Sequence, residues 1–255
     1  MKLVAVKTDV IKEGDDIVKV TLESLNRQNL CLKDQDILAL SSKILAYSEG
    51  CVLDLSGVKP SREAEELAHD SLLQPEMAEL VLHEADKIFG GMSGAVLTLT
   101  KGILTANAGI DRKNAPPGSV ILWTRDAERS VRIFREEIVR RTGKKIAALV
   151  VDSGLMPLRL GTCGLALAGA GFKPIADFRG RKDIFGKTVM MTLHAVANNL
   201  ASAAHLLMSE SSERTPLVLI EGAPVEYAEI SFGPGDLSIP RSDCIFASVF
   251  GTRGS

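Results

Sequence analysis

Short apolar runs closed by glycine, proline or small polar residues alternate along the chain with stretches whose apolar positions repeat at helical spacing. Residues 1–7 read as a first strand, and Gly14 with Asp15 and Asp16 forms a turn capping a helix from Ile17 to about Asn26, apolar at Ile17, Val20, Leu22 and Leu25. Residues 36–40 form a buried strand that ends at Ser41, Ser42 and Lys43, and Glu49-Gly50 marks a turn. Pro60-Ser61-Arg62-Glu63 opens a helix to about Leu73. A second helix opens at Gln74-Pro75-Glu76 and carries Met77, Leu80, Val81, Ala85 and Ile88 on one face. Phe89-Gly90-Gly91-Met92-Ser93-Gly94 lacks the order of a phosphate-binding loop and reads as a hairpin turn or link. Val96-Leu97-Thr98-Leu99 alternates as a strand does, and residues 105–118, rich in Asn, Asp, Gly and Pro, follow it as a loop.

Residues 119–123 give another strand, and Asp126 caps a helix whose Val131, Phe134 and Ile138 face inward until Gly143 stops it. The continuous apolar run 146–151 is a strand that delivers Asp152 and Ser153 at its C-terminal end. Glycine and alanine crowd residues 160–171, a density that lets backbones approach closely, to pack strands or to admit a ligand. Residues 177–186 set several charges in a tight loop. A long helix is predicted from about Lys187 to Met208, striped by Val189, Leu193, Val196, Leu200, Ala204 and Leu207, with His194 and His205 on one face. The polar turn 209–213 precedes a strand over 216–220, and residues 231–236 read as a loop in a tail with little periodicity. The alternation of both periodicities predicts an α/β (mixed α+β) fold.

Composition narrows the function classes. At 255 residues the chain buries a full core as one large domain or two smaller ones, and 45% hydrophobic with 24% charged residues is ordinary for a soluble globular protein. A formal net charge of −2 gives no general basic field, so nucleic acid is not the expected partner. No apolar run reaches the roughly 18–20 residues of a membrane span, and the N-terminus lacks the features of a signal peptide, so the expected location is cytoplasmic and away from membranes. Cys31, Cys51, Cys163 and Cys244 stand far apart without zinc spacing and are expected to be free thiols, mostly buried.

Four places carry candidate chemistry. The loop Thr105-Ala106-Asn107-Ala108-Gly109-Ile110-Asp111-Arg112-Lys113-Asn114 puts oxygen and amide groups on its inner edge, either to hold a metal or phosphate or to bond its own backbone. Asp152 and Ser153 at a strand end are either metal ligands or a helix cap. Ser41, Ser42 and Lys43 either hold phosphate oxygens or cap a helix, and Glu210 is a further carboxylate at an element boundary.

These places share one pattern. Gly14-Asp15-Asp16, the Ser42 strand end with Glu49-Gly50, Asn107-Ala108-Gly109-Ile110-Asp111 with Asn114, Asp152-Ser153 with Arg159 and Gly161, Arg181-Lys182-Asp183 with Gly186, and Leu206-Leu207-Met208 with Glu210 occur in that order. In order and spacing the chain resembles the coenzyme F420-0:gamma-glutamyl ligases over about residues 1–222, leaving 223–255 as a C-terminal extension of unassigned role. The resemblance implies a two-lobed fold of that family, an intertwined homodimer, and a reaction in which GTP and Mg²⁺ or Mn²⁺ serve to join L-glutamate to the carboxylate of a small deazaflavin acceptor. Carried over residue by residue, it implies that Asp111 and Asp152 ligate one metal and Ser153 and Glu210 a second. It further implies that Asp111, Asp152 and Arg159 are catalytic, and that Thr8, Asp9, Val10, Ile11, Ser42, Lys43 and Asn114 contact the nucleotide. Departures from the family pattern are Tyr47 in place of a lysine, Leu155-Met156 in place of a glycine-arginine pair, and a missing Gly-Ile-Pro-like turn around Lys7-Thr8-Asp9. They leave open a folate acceptor, plain phosphoester hydrolysis by the same cradle, or a degenerate protein that binds nucleotide and metal without turnover.

Overall fold

A computed structural model describes residues 1–246 of the chain. In order, the elements are β1 (Lys2–Val6), α1 (Ile17–Arg27), β2 (Ile37–Ser41), α2 (Ser42–Ser48), β3 (Val52–Asp54), α3 (Arg62–Ser71), α4 (Pro75–Glu84), β4 (Lys87–Met92), β5 (Ala95–Thr100) and β6 (Ile103–Ala106). They continue with β7 (Ser119–Ile121), α5 (Ala127–Thr142), β8 (Ala147–Leu155), β9 (Thr162–Phe172), β10 (Ile175–Asp177), β11 (Leu193–Ala195), α6 (Val196–Met208), β12 (Leu217–Glu221), β13 (Tyr227–Phe232) and α7 (Pro234–Leu237). The chain divides into two compact units, one of Met1–Gly50 with Thr124–Gly233 and one of Cys51–Trp123 with the described residues from Pro234 on.

The first unit is built on a six-stranded sheet in the order β1-β12-β2-β8-β9-β13. Only the β2–β8 pair is parallel; the other neighbours are antiparallel. Five consecutive residues of β8, from Ala147 to Val151, are buried, as a strand covered on both faces must be. Helices α5 and α6 both pack on β8 and β9. Small residues in β9 make that approach possible. A Cβ on Gly164 would stand 2.2 Å from the Ala201 carbonyl oxygen of α6, and the Ser202 hydroxyl donates to the Gly164 carbonyl at 2.9 Å. At the far end of β9 the Phe172 and Phe232 rings meet edge to face, 5.2 Å between centroids.

Helix α1 begins at the Asp16 side chain, which accepts from the Lys19 amide at 3.0 Å. Its buried stripe is Ile17, Val18, Thr21, Ser24 and Leu25, so two hydroxyl residues take places expected of Val20 and Leu22. Thr21 resolves its polarity by donating to the Ile17 carbonyl at 2.7 Å.

The second unit holds a three-stranded meander, β4-β5-β6, and a two-stranded pair, β3-β7. One face of β5 is buried and the other is not, which matches its alternating sequence. Val96 of β5 packs with Met77, Leu80 and Val81 of α4, with Ala108 and Ile110, and with Val120 of β7.

Several sequence expectations need correction. The helix expected over 187–208 begins only at Val196. Ahead of it, β11 pairs with β10, Ala176 opposite His194, and the Asp183 side chain accepts from the amides of Phe185 and Lys187. Val189 and Leu193 therefore lie outside the helix, and His194 does not share a helical face with His205. Ile88 belongs to β4 rather than to α4, and Ser231 and Phe232 close β13 rather than forming a loop. Strand β6 extends to Ala106, inside the expected loop. All four cysteines are free, but none is fully buried and Cys31 is exposed. Among the described residues, no helix is long and apolar enough to cross a membrane.

Candidate functional site

In the second unit, the Asn107-Ala108-Gly109 segment holds three consecutive residues at positive φ, +51°, +57° and +76°. Asparagine and glycine reach that region at modest cost, alanine does not, so the surroundings must hold it. The Asn107 side-chain oxygen accepts from the Val96 amide at 2.9 Å. The fully buried Thr98 hydroxyl accepts from the Ala108 amide at 3.0 Å and donates to the Thr105 carbonyl at 3.0 Å. Gly109 packs against the Trp123 ring, where a Cβ would come within 2.2 Å of the indole. This clamp sets the next residues. Asp111 exchanges backbone hydrogen bonds with Ile121 at 2.9 and 2.8 Å, while its carboxylate accepts from the Lys113 amide at 2.7 Å. Asn114 follows at φ +61°, exposed. Asp111 thus caps its own turn, and a half-buried carboxylate stands on a rigid loop.

The first unit carries the other candidates. Asp152 and Ser153 lie inside β8, which runs on to Leu155, so neither caps a helix. Asp152 accepts from the Ser153 amide at 2.8 Å. Across the ladder Asp152 faces Leu165, Ser153 faces Gly164 and Leu155 faces Thr162. Successive residues of a strand alternate between the faces of its sheet. Ser153, Gly164 and Thr162 therefore share one face, the one on which α6 sits, since a Cβ on Gly164 would meet Ala201 and His205.

Glu210 comes to that same face from the end of α6. Its Oε1 accepts from the Thr162 hydroxyl at 2.8 Å and pairs with His205 Nε2 at 3.0 Å. Ser153 and Glu210, fifty-odd residues apart in sequence, are thus gathered at one end of the β8–β9 ladder. Sequence reasoning missed Thr162 and His205. His205 had a signal, one helical turn and a cap before Glu210, whereas nothing marked Thr162.

The remaining candidates are spread through the first unit. Thr8 is buried and its amide donates to the Arg214 carbonyl at 2.9 Å. Asp9 pairs with Arg27 at 2.6 Å, and Val10 and Ile11 follow in an irregular segment with Val10 exposed. Ser42 is buried and Lys43 half-buried in the first turn of α2, where Ser41 takes the N-cap place without a side-chain cap bond. Tyr47 is half-buried in the same helix. The Glu49 carboxylate accepts from the hydroxyls of Thr124 and Ser130, and Gly50 turns the chain at φ +71°. Arg159 is exposed on the turn between β8 and β9, its amide donating to the Met156 carbonyl at 3.2 Å. Among the described residues no three His, Cys, Asp or Glu side chains form one metal-binding group.

The fold and these side chains define a mixed α/β protein of two units, with candidate oxygen-bearing groups on a clamped loop in one unit and on the two faces of a strand ladder in the other. A family model described as F420-0:Gamma-glutamyl ligase matches residues 5–222, and the chain belongs to that family. Three similar proteins each carry the name Coenzyme F420:L-glutamate ligase. The one from Methanopyrus kandleri is 33% identical over 85% of this chain and 84% of its own. That from Methanothermobacter thermautotrophicus is 32% identical over 93% and 94%, and that from Methanocaldococcus jannaschii 32% identical over 96% of both.

Proposed function

We propose that the chain is a ligase, dependent on GTP and a divalent metal, that forms an amide between L-glutamate and the carboxylate of coenzyme F420-0 or a related small acceptor. One observation carries the reading: the family match runs from residue 5 to residue 222, and relatives named for this reaction align over more than four-fifths of both chains. The donor set fits the metal. Asp111, Asp152, Ser153 and Glu210 offer only hard oxygen ligands, which suit Mg²⁺ or Mn²⁺. Asp111 and Asp152 are each assigned as metal ligands, as are Ser153 and Glu210 together, and bound ions would supply neutralisation of the phosphate charge.

The chain's own groups do the rest by positioning. Thr8, Asp9, Val10, Ile11, Ser42, Lys43 and Asn114 are assigned to the nucleotide, and Arg159 supplies a cation on an exposed turn. In the reaction an acceptor carboxylate oxygen bonds to the γ-phosphorus as the bond to the β–γ bridging oxygen breaks, releasing GDP. The glutamate amine then attacks the acyl carbon of the resulting acyl phosphate; the C–N bond forms, the C–O bond breaks, and inorganic phosphate and a proton leave. No protein nucleophile is required. Tyr47 and Leu155-Met156, where the family pattern has a lysine and a glycine-arginine pair, favour an altered acceptor, with folate the first alternative. A homodimer is part of the same proposal, supported by the exposed apolar residues Leu158, Leu160, Phe185 and Met191; light scattering on the purified protein tests it.

The test is incubation with GTP or ATP, Mn²⁺ and labelled glutamate against a panel of acceptors, with products read by mass for a gain of one glutamyl unit. Phosphate release that does not depend on glutamate, or nucleotide binding with no consumption, would replace the ligase by a hydrolase or a binding protein. Asp111→Asn and Asp152→Asn are each expected to abolish metal-dependent turnover in a folded protein; unchanged activity in either removes that residue from the site.

A further inference from the structure

We infer that Thr162 and His205 are positioning residues that hold the Glu210 carboxylate for metal binding, an inference that rests on the ligase reading above. Two donors from two different elements converge on one atom. The Thr162 hydroxyl, from the first residue of β9, and the His205 ring, from the last turn of α6, both reach Glu210 Oε1, at 2.8 and 3.0 Å. A carboxylate is an acceptor only, so the imidazole presents its Nε2 hydrogen to it. With two directional contacts on one oxygen, the carboxylate loses its rotation and its plane is fixed.

The backbone around Glu210 is arranged to the same end. Ser209, between α6 and Glu210, sits at φ +61°, ψ −173°, and its amide donates to the His205 carbonyl at 3.1 Å. The chain turns back at that point, so that Glu210 reaches the ring of a residue five positions earlier. His205 is the more sheltered partner, its side chain 14% exposed against 35% for Glu210. The helix itself is set by Gly164, the residue opposite Ser153: a Cβ there would lie 2.7 Å from His205 Cβ. The same absent Cβ that seats α6 therefore ties the His205–Glu210 pair to the strand that carries Ser153. A surface ion pair that merely tied down a helix end would need neither the Thr162 contact from β9 nor so close a seat opposite Ser153.

The experiment measures Mn²⁺ affinity of the full-length protein by quantifying free Mn²⁺ in its paramagnetic resonance spectrum, alongside thermal melting without metal. Five variants are compared with the parent: Glu210→Gln, Thr162→Val, Thr162→Ser, His205→Leu and His205→Gln. Thr162→Val and His205→Leu, which remove a donor, are expected to weaken Mn²⁺ binding about 10-fold or more. Thr162→Ser and His205→Gln, which keep one, should stay within about 3-fold of the parent, a rescue that a purely structural tie would not produce. In turnover, kcat should fall in the donor-less variants with the KM for glutamate unmoved. If Glu210→Gln loses affinity while Thr162→Val and His205→Leu keep it, the positioning role is wrong and the metal reading survives. If Glu210→Gln binds Mn²⁺ as the parent does, Glu210 is not a ligand, and that assignment and this inference fall together. Should His205→Leu prove unfolded in the melting control, the exposed Thr162 pair decides the question alone.

Discussion

Replacing Gly164 by alanine adds one methyl group to the point where α6 meets the sheet. The new carbon would lie 2.2 Å from the Ala201 carbonyl oxygen, 2.4 Å from the carbonyl carbon and 2.7 Å from His205 Cβ, against the roughly 3.4 Å at which ordinary contact begins. Two of those atoms are backbone, so no rotamer change relieves the clash, and α6 has to move off β9 by about 1 Å. Overpacking of this kind costs about 1–3 kcal/mol, and an immovable neighbour puts it at the upper end. The smaller conformational freedom of alanine in the unfolded chain returns about 0.4–1 kcal/mol. A net loss of about 2 kcal/mol corresponds to a fall of about 4–8 °C in melting temperature for a unit of this size. Gly154, on the partner strand of the same ladder, provides the control. A Cβ there meets the Leu165 side chain at 3.2 Å and no backbone atom closer than 3.8 Å, so Gly154→Ala should change stability by less than about 1 kcal/mol. Differential scanning calorimetry on the two variants decides the matter. A Gly164→Ala protein that melts within a degree of the parent, or no lower than Gly154→Ala, refutes the seating of α6 on that residue.

Three further outcomes follow from the same geometry. Thr98→Val leaves the Ala108 amide buried without its acceptor and is expected to cost about 1–3 kcal/mol by urea unfolding, with faster hydrogen exchange at Ala108. Glu221, held by the ammonium groups of Lys2 and Lys33, has its carboxyl lowered to about 2 from an ordinary 4.5. Its folded value lies below the unfolded one, so its contribution is present above about pH 4.5 and lost as the pH falls toward 2; in that window the stability of Glu221→Gln should decline less steeply than that of the parent. Glu49→Ala removes the acceptor shared by the Thr124 and Ser130 hydroxyls and should lower stability by about 1 kcal/mol, read as a shift in urea midpoint.

What was legible in the sequence was what local chemistry decides. Asp16, Ser61 and Asp126 cap helices because a side-chain oxygen can reach an amide three residues on, a relation that needs no tertiary partner. The buried strands around Leu38 and Leu149 were legible for a related reason, since an uninterrupted apolar run has few alternatives to burial. The break at Val196 was not. Residues 187–195 carry apolar groups at helical spacing, yet β10 offers His194 a strand partner eighteen residues upstream, and the Asp183 carboxylate takes the amides that would begin a helix. Periodicity records the spacing within a segment and is silent about a competitor elsewhere in the chain. Strand β13 failed for a milder version of that reason: at the sheet edge only Phe232 is buried, so the alternation that would identify it is weak.

The candidate site divides along the same line. The Asn107-Ala108-Gly109 turn was legible as a loop from its residue types, but its strength was not, because Thr98 and Trp123 are ordinary strand and loop residues until the fold brings them to Ala108 and Gly109. Asp152 and Ser153 were legible as a pair at a strand end, as metal ligands or a helix cap, but the direction of each side chain was not. β8 continues through both, so their side chains leave opposite faces, and only Ser153 shares the face of Gly164, Thr162 and α6. Adjacent in sequence, the two side chains face different neighbours, and that separation follows from a two-residue repeat rather than from either side chain's chemistry.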